Sequence, residues 1–173
     1  TELIRQKKGE KDGCLSVFSD NSGGFLFNKD YVVTHKVETH NTPSALDPFG
    51  GALTGIVGVN RDTLGFGMSA KPIANFYGFC FAPPSLKSIL YRDKERKIPL
   101  LSSERIMTGV IEGVNNGGNQ SGIPTPSGFI YFHEGYRAKP LVFVGTVGLI
   151  PKKRGKVNLY LKKAKKNDYI VMG

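Results

Sequence analysis

Lys36, Glu38 and His40 fall on alternate positions of the stretch KVETHN, and the pair Arg61-Asp62 follows further along the chain. Two carboxylates, Glu38 and Asp62, each with a cationic neighbour in the sequence, suit Mg²⁺ that carries a nucleotide. Magnesium keeps water and phosphate oxygens as ligands and needs only one or two protein carboxylates. Lys36 and Arg61 would then offset the remaining phosphate charge. His40, close to the end of a strand, is of the type that exchanges protons near neutral pH. The same residues also have plainer readings. Arg61 and Asp62 could be a surface ion pair worth little, and His40 a surface histidine whose loop is held by Asn41.

These side chains need elements to hold them together. "CLSVFSD" and "GGFLFNKDYVVTHKVETH" read as strands, split by the turn residues Asn21-Ser22-Gly23-Gly24. A period of two puts Val32, Thr34, Lys36 and Glu38 on one face, and Tyr31, Val33, His35 and Val37 on the other. Pro43 is expected to keep Thr42 out of the helical region, so His40 to Pro43 reads as an ordered, non-helical loop. A helix then opens at Asp47 or Pro48, with Leu53, Ile56, Val57, Asn60 and Leu64 at helical spacing. Its glycines at 50, 51, 55, 58 and 65 cost about 1 kcal/mol each relative to alanine. Either a second backbone or a ligand must come close enough to offset them.

Further along, "KPIANFYGFCFAPP" reads as a strand ended by Pro83-Pro84, and residues 85 to 101 as a charged connection. "SSERIMTGVIEGVNNGG" has a clear helix pattern. Ser102 or Ser103 caps it, Ile106, Val110 and Val114 form the buried stripe with Met107 and Ile111 beside it, and Gly117 stops it. Residues 115 to 128 form a second glycine-rich loop without the lysine of a P-loop. "GFIYFHEGY", "PLVFVGTVGLI" and Tyr169 to Met172 read as further strands. The mixture argues for an α+β or mixed α/β fold. His35 reads as a packed strand residue and His133 as a turn residue, and neither has a partner at zinc-site spacing.

Bulk properties bound the rest. The 173 residues suit one domain, with 39% hydrophobic and 22% charged residues. The net charge of +10 is concentrated in Lys152 to Arg154, Lys156, Lys162 to Lys166 and the amino end. Clustered lysines attract nucleic acid or phosphorylated ligands, but are commonly a solvated face. Leu159, Tyr160 and Leu161 interrupt the basic segment without supplying the aromatic positions of a single-strand platform, so a nucleic-acid module is disfavoured. Cys14 and Cys80 form no paired motif, which points to a reduced, cytoplasmic setting. No apolar run reaches the ~20 residues of a membrane span. Residues 1–12 are expected to be a flexible amino-terminal segment, 13–150 the main domain, and 151–173 a basic connection and the start of a truncated carboxy-terminal part, the whole reading as an excised piece.

At "KVETHNTPSALDPFGGALTGIVGVNRD" the sequence resembles the formylglycinamide ribonucleotide amidotransferases, the phosphoribosylformylglycinamidine synthases of purine biosynthesis. That family carries a Lys-x-Glu-[Ser/Thr]-His-Asn-x-Pro strand end and a glycine-rich helix closing in Arg-Asp. "NQSGIPTPSGFIYFHEGY" and "PLVFVGTVGLIPK" look like its next shared blocks, in the right order. The resemblance runs over about residues 13 to 173. Relatives in the wider superfamily include aminoimidazole ribonucleotide synthetase, selenophosphate synthetase and thiamine phosphate kinase. The His-Asn-x-Pro loop favours the amidotransferase over them.

The resemblance implies an amino-terminal half-domain of the synthetase part, with a four-stranded mixed sheet and helices on one face. Such sheets pair into a barrel-like dimer or pseudo-dimer. It implies an ATP-dependent C–N ligase that joins ammonia, from a glutaminase domain or subunit, to formylglycinamide ribonucleotide through an iminophosphate. Carried onto this chain, Lys36 would contact ATP, Glu38 would hold Mg²⁺ and Asp62 a second Mg²⁺. Thr39, His40, Asn41, Thr42 and Arg61 would line the substrate, with His40 as the catalytic base. Thr42 stands where small bacterial members carry a second histidine. The family's upstream catalytic histidine, its downstream glycine-rich ATP segment and its second half-domain fall outside these residues. This stretch by itself is therefore expected not to turn over. Another ATP-using enzyme of the superfamily is the alternative.

Overall fold

The computed structural model describes Gln6, residues 13–93 and residues 95–172. The expected flexible segment 1–12 lies almost wholly outside them. Its strands are β1 (Cys14–Ser16), β2 (Gly23–Leu26), β3 (Tyr31–Thr39), β4 (Lys71–Phe81), β5 (Ser127–Phe132), β6 (Leu141–Pro151), β7 (Lys153–Arg154) and β8 (Val157–Asn158). Its α-helices are α1 (Asn41–Leu46), α2 (Pro48–Leu64) and α3 (Ser103–Gly117).

Six strands form one open sheet in the order β1-β2-β3-β6-β4-β5, in place of the four expected, and β7 and β8 make a separate hairpin. The extra strands arise at the two edges. The stretch read as one strand from Gly23 to His40 folds back at Asn28–Asp30 into β2 and β3, where the Asn28 side chain accepts from the backbone N–H of Asp30 and Tyr31. Among the described residues only β4 and β5 run parallel; the remaining pairs are antiparallel. Because β3 and β4 both oppose β6, they run in the same direction with β6 between them. The connections β3-α2-β4 and β4-α3-β5 are therefore crossovers, and a crossover places its helix on a face of the sheet.

The alternation expected for β3 holds. Val32 and Thr34 are fully buried, while Tyr31 and Val37 stay exposed. Ala52, Ile56 and Val59 of α2 pack with Ile106, Val110 and Val114 of α3 on Val142, Val144, Phe79 and Phe81. A second cluster at the sheet's other end joins Leu15, Val32, Phe66, Ala70 and Ile150 to Tyr160. The opposite face of the sheet is apolar and unpartnered among the described residues. There His35 stacks on Phe76 at 5.2 Å, so burial of its ring lowers its pKa. It is packed on one side only.

Two expectations fail. Tyr169 to Met172 form no strand and are almost fully exposed, pairing with no sheet edge among the described residues. The expected stripe of α2 is rotated. Val57 and Leu64 are exposed, and the buried face is Gly51, Ala52, Gly55, Ile56, Val59, Asn60 and Thr63. Small residues point inward because the neighbours sit so close. A side chain on Gly51 would begin 2.4 Å from the Ser44 nitrogen of α1, and one on Gly113 of α3 would begin 2.4 Å from the Phe49 carbonyl oxygen. Among the described residues, no helix is long and apolar enough to cross a membrane.

Candidate functional site

Three side chains of β3 and its continuation line up along α2. His40 lies against Gly55, Glu38 faces Gly58, and Lys36 pairs with Asp62. Strand and helix run antiparallel here. Two strand residues advance about 6.7 Å and one helical turn about 5.4 Å, so the two periods stay nearly in step over this length.

The elements fix this line from below. Asp47 caps α2, its side chain accepting from the Gly50 N–H at 3.1 Å, and Pro48 occupies the first turn, as the sequence indicates. Asn60 anchors the middle of α2. Its amide donates to the Gly117 carbonyl at 3.1 Å, and the Thr146 hydroxyl lies 2.7 Å from the Asn60 and Asn75 side-chain oxygens. Thr146 sits opposite Lys36 in the β3–β6 ladder, so this buried polar network lies directly behind the ion pair. Sequence reasoning placed Asn60 only on a helical stripe. A polar residue among Ile56 and Val59 was the available signal for such an anchor.

The segment after β3 departs from expectation. His40 to Pro43 is not an extended loop; Asn41 to Leu46 form the short helix α1. Pro43 falls in its first turn, where a backbone N–H would have no helical partner, so the ring costs little. His40 occupies the capping position, yet its side chain makes no cap hydrogen bond. Serine or aspartate there would stabilise the helix by about 1 kcal/mol. Its backbone N–H donates to the Val142 carbonyl at 2.8 Å, and the Asn41 side-chain oxygen accepts from the Val142 N–H at 2.8 Å. These two bonds continue the sheet past the end of β3 and hold His40 over α2. The Nδ1 atom of His40 is buried and without a hydrogen-bond partner.

The candidate residues thus separate into groups. Lys36, Glu38, His40 and Asp62 share the seam between β3 and α2. The Lys36 ammonium lies 2.8 Å from the Asp62 carboxylate, so Asp62 pairs with the lysine rather than with its neighbour Arg61. Arg61 is exposed, about 100° around the helix from Asp62. Asn41 spends its acceptor on Val142. Thr42 is exposed on α1, and Thr39 is exposed at the end of β3, its alternation placing it away from α2. Among the described residues no group of three or more His, Cys, Asp or Glu could hold a metal ion by itself. Glu38 and Asp62 suit a cation that takes most of its ligands from water and phosphate, as Mg²⁺ does.

Two other features resolve into structure. The glycine-rich loop after α3 is a connection tied by its own polar groups: the Asn119 side chain accepts from Thr125 N–H at 2.8 Å, and Ser121 donates to the Gly117 carbonyl at 2.8 Å. In the basic segment, Lys162 pairs with Asp20 at 2.6 Å and donates to the Gly65 carbonyl. Burial alone would raise the Asp20 pKa. Lys162 and the N–H groups of Gly67 and Asn21 outweigh that and hold it below the ordinary carboxylate value.

Residues 19–150 match the family model described as AIR synthase related protein, N-terminal domain. The chain is 41% identical over 135 residues to the phosphoribosylformylglycinamidine synthase subunit PurL of Picrophilus torridus, covering 78% of this chain and 17% of that protein. It is 35% identical over 148 residues to the PurL subunit of Thermus thermophilus, covering 86% of this chain and 18% of that one. Among solved structures it resembles T. maritima PurL complexed with ADP, at a TM-score of 0.62 and 30% identity over 80% of this chain and 20% of that chain. T. maritima PurL complexed with FGAR gives 0.61 and 29% over 87% and 20%. The chain spans less than a fifth of the length of these curated relatives.

Proposed function

The chain belongs to the AIR synthase related family through its N-terminal domain, and from that premise we propose that it supplies the metal, nucleotide and proton-transfer groups of an ATP-dependent C–N ligase. The reaction is that of phosphoribosylformylglycinamidine synthase. The carbonyl oxygen of formylglycinamide ribonucleotide takes the γ-phosphoryl group of ATP, releasing ADP. Ammonia from a glutaminase domain or subunit then adds to the resulting iminophosphate carbon. Inorganic phosphate departs with the former carbonyl oxygen, and the amidine remains.

One observation carries the reading: Lys36, Glu38 and His40 line up along a single seam, opposite Asp62, Gly58 and Gly55 of α2. Glu38 and Asp62 would hold Mg²⁺, which when bound neutralises phosphate charge and orients the γ-phosphoryl group. Lys36 provides a mobile ammonium for the phosphates. His40, whose backbone N–H is held by the Val142 carbonyl at the end of this seam, would accept a proton lost as ammonia becomes the amidine nitrogen. Thr39, Asn41, Thr42 and Arg61 are proposed to border the substrate. Thr39 and Asn41 would do so through their positions beside His40, Thr42 and Arg61 through their exposed side chains. The unpartnered apolar sheet face, with Phe25, Val37, Phe129 and Tyr131 exposed on it, supports pairing with a second such sheet. The expected compartment is the cytoplasm.

In the full-length protein, His40→Ala should lower kcat by about 100-fold or more, the contribution of a positioned acid or base. KM should change by only a few-fold. A change confined to KM would reduce His40 to a binding group.

A further inference from the structure

We propose that Lys36 is a placeholder cation, occupying the Asp62 carboxylate until nucleotide phosphate draws the lysine away and a divalent cation takes its place. The inference rests on the reading of Glu38 and Asp62 as the metal's carboxylates.

The geometry supplies the parts. Lys36 and Asp62 meet at 2.8 Å, with their side chains 28% and 25% exposed. A part-exposed carboxylate with an ammonium in contact is stabilised by up to about 1 kcal/mol. With the lysine in contact, the charges of Glu38, Asp62 and Lys36 sum to about one negative charge. A divalent cation added to that arrangement would sit within a few ångströms of the ammonium and be repelled by it.

Triphosphate changes the balance. It offers Lys36 a new anionic partner, and the long flexible stem of lysine lets the ammonium move while its backbone stays in the β3–β6 ladder. Space exists beside the acid. Gly58 lies one turn before Asp62, and a side chain there would meet only the Glu38 carboxylate, at 3.8 Å. Metal alone should therefore bind weakly, and nucleotide should strengthen it. By linkage the two enhancements are equal.

The test is Mn²⁺ binding to the full-length protein without nucleotide, followed by electron paramagnetic resonance of the free ion. Lys36→Met should bind Mn²⁺ about fivefold more tightly than Lys165→Met, which removes the same charge elsewhere. Fivefold corresponds to the upper end for a part-exposed ion pair. Adding Asp62→Asn to Lys36→Met should abolish the gain. Lys36→Gln, which keeps a polar stem, replaces Lys36→Met if that variant melts early. Equal affinity in the Lys36 and Lys165 variants, with Asp62→Asn still weakening wild-type binding, would overturn the placeholder and spare the metal reading. Unchanged Mn²⁺ binding by Asp62→Asn in the wild-type background would remove both.

Discussion

His40 rests against Gly55 so closely that a side chain at residue 55 would begin 2.9 Å from the His40 Cβ and 3.2 Å from its Cγ. One turn on, a side chain at Gly58 would meet nothing nearer than a Glu38 oxygen at 3.8 Å. The first glycine is explained by packing. The second has no such explanation within the chain.

That contrast gives substitutions of opposite sign. Alanine improves helix propensity by about 1 kcal/mol at either position. At residue 55 the added methyl must displace His40 near its root, an overpacking cost of about 1–3 kcal/mol. Gly55→Ala should therefore be neutral to about 2 kcal/mol less stable in urea denaturation, with turnover falling further as His40 moves. Gly58→Ala should be about 1 kcal/mol more stable. Its methyl stands where ligand is expected, so turnover should nonetheless fall. Greater stability with unchanged turnover would mean that no ligand approaches residue 58.

Asp20 offers a test by pH. Its folded pKa is depressed, because Lys162 and two backbone N–H groups outweigh the effect of burial. A depressed carboxylate contributes stability in full above its unfolded pKa, near 4, and loses it as pH falls through the folded pKa. Asp20→Asn should thus lower stability at pH 7 by about 1 kcal/mol, as for a favourable part-exposed ion pair. The difference should shrink steadily as the pH falls below 4. Urea midpoints for both proteins at pH 7 and pH 3 measure it. A difference independent of pH would show that the charge of Asp20 is not what matters.

Much of this site was legible in the chain because it depends on local rules. Alternation along β3 put Lys36 and Glu38 on the face that meets α2, and Asp47-Pro48 marked where α2 begins. Ser102 caps α3 as its type suggests, accepting from the Arg105 N–H at 3.2 Å. What was not legible depends on tertiary context. Pro43 fits the first turn of a helix as well as it fits a loop. The inward face of α2 is made of glycines, which carry no hydrophobic signal, so periodicity selected Val57 and Leu64 instead. The pairing of Asp62 with Lys36 rather than Arg61 follows from the approach of α2 to β3, which sequence spacing does not encode. Tyr160 and Lys162 looked like parts of a basic tail, but one packs beside Phe66 and the other closes on Asp20.

The seam between β3 and α2 is where metal and nucleotide are expected to meet. Crystals of the full-length protein soaked with Mn²⁺ and a non-hydrolysable ATP analogue test this through the anomalous signal of manganese. The expected result is manganese about 2.1 Å from carboxylate oxygens of Glu38 and of Asp62, with phosphate oxygens among the remaining ligands. A nucleotide-bound manganese peak elsewhere, with Lys36 still paired to Asp62 and Glu38 bare, would contradict it.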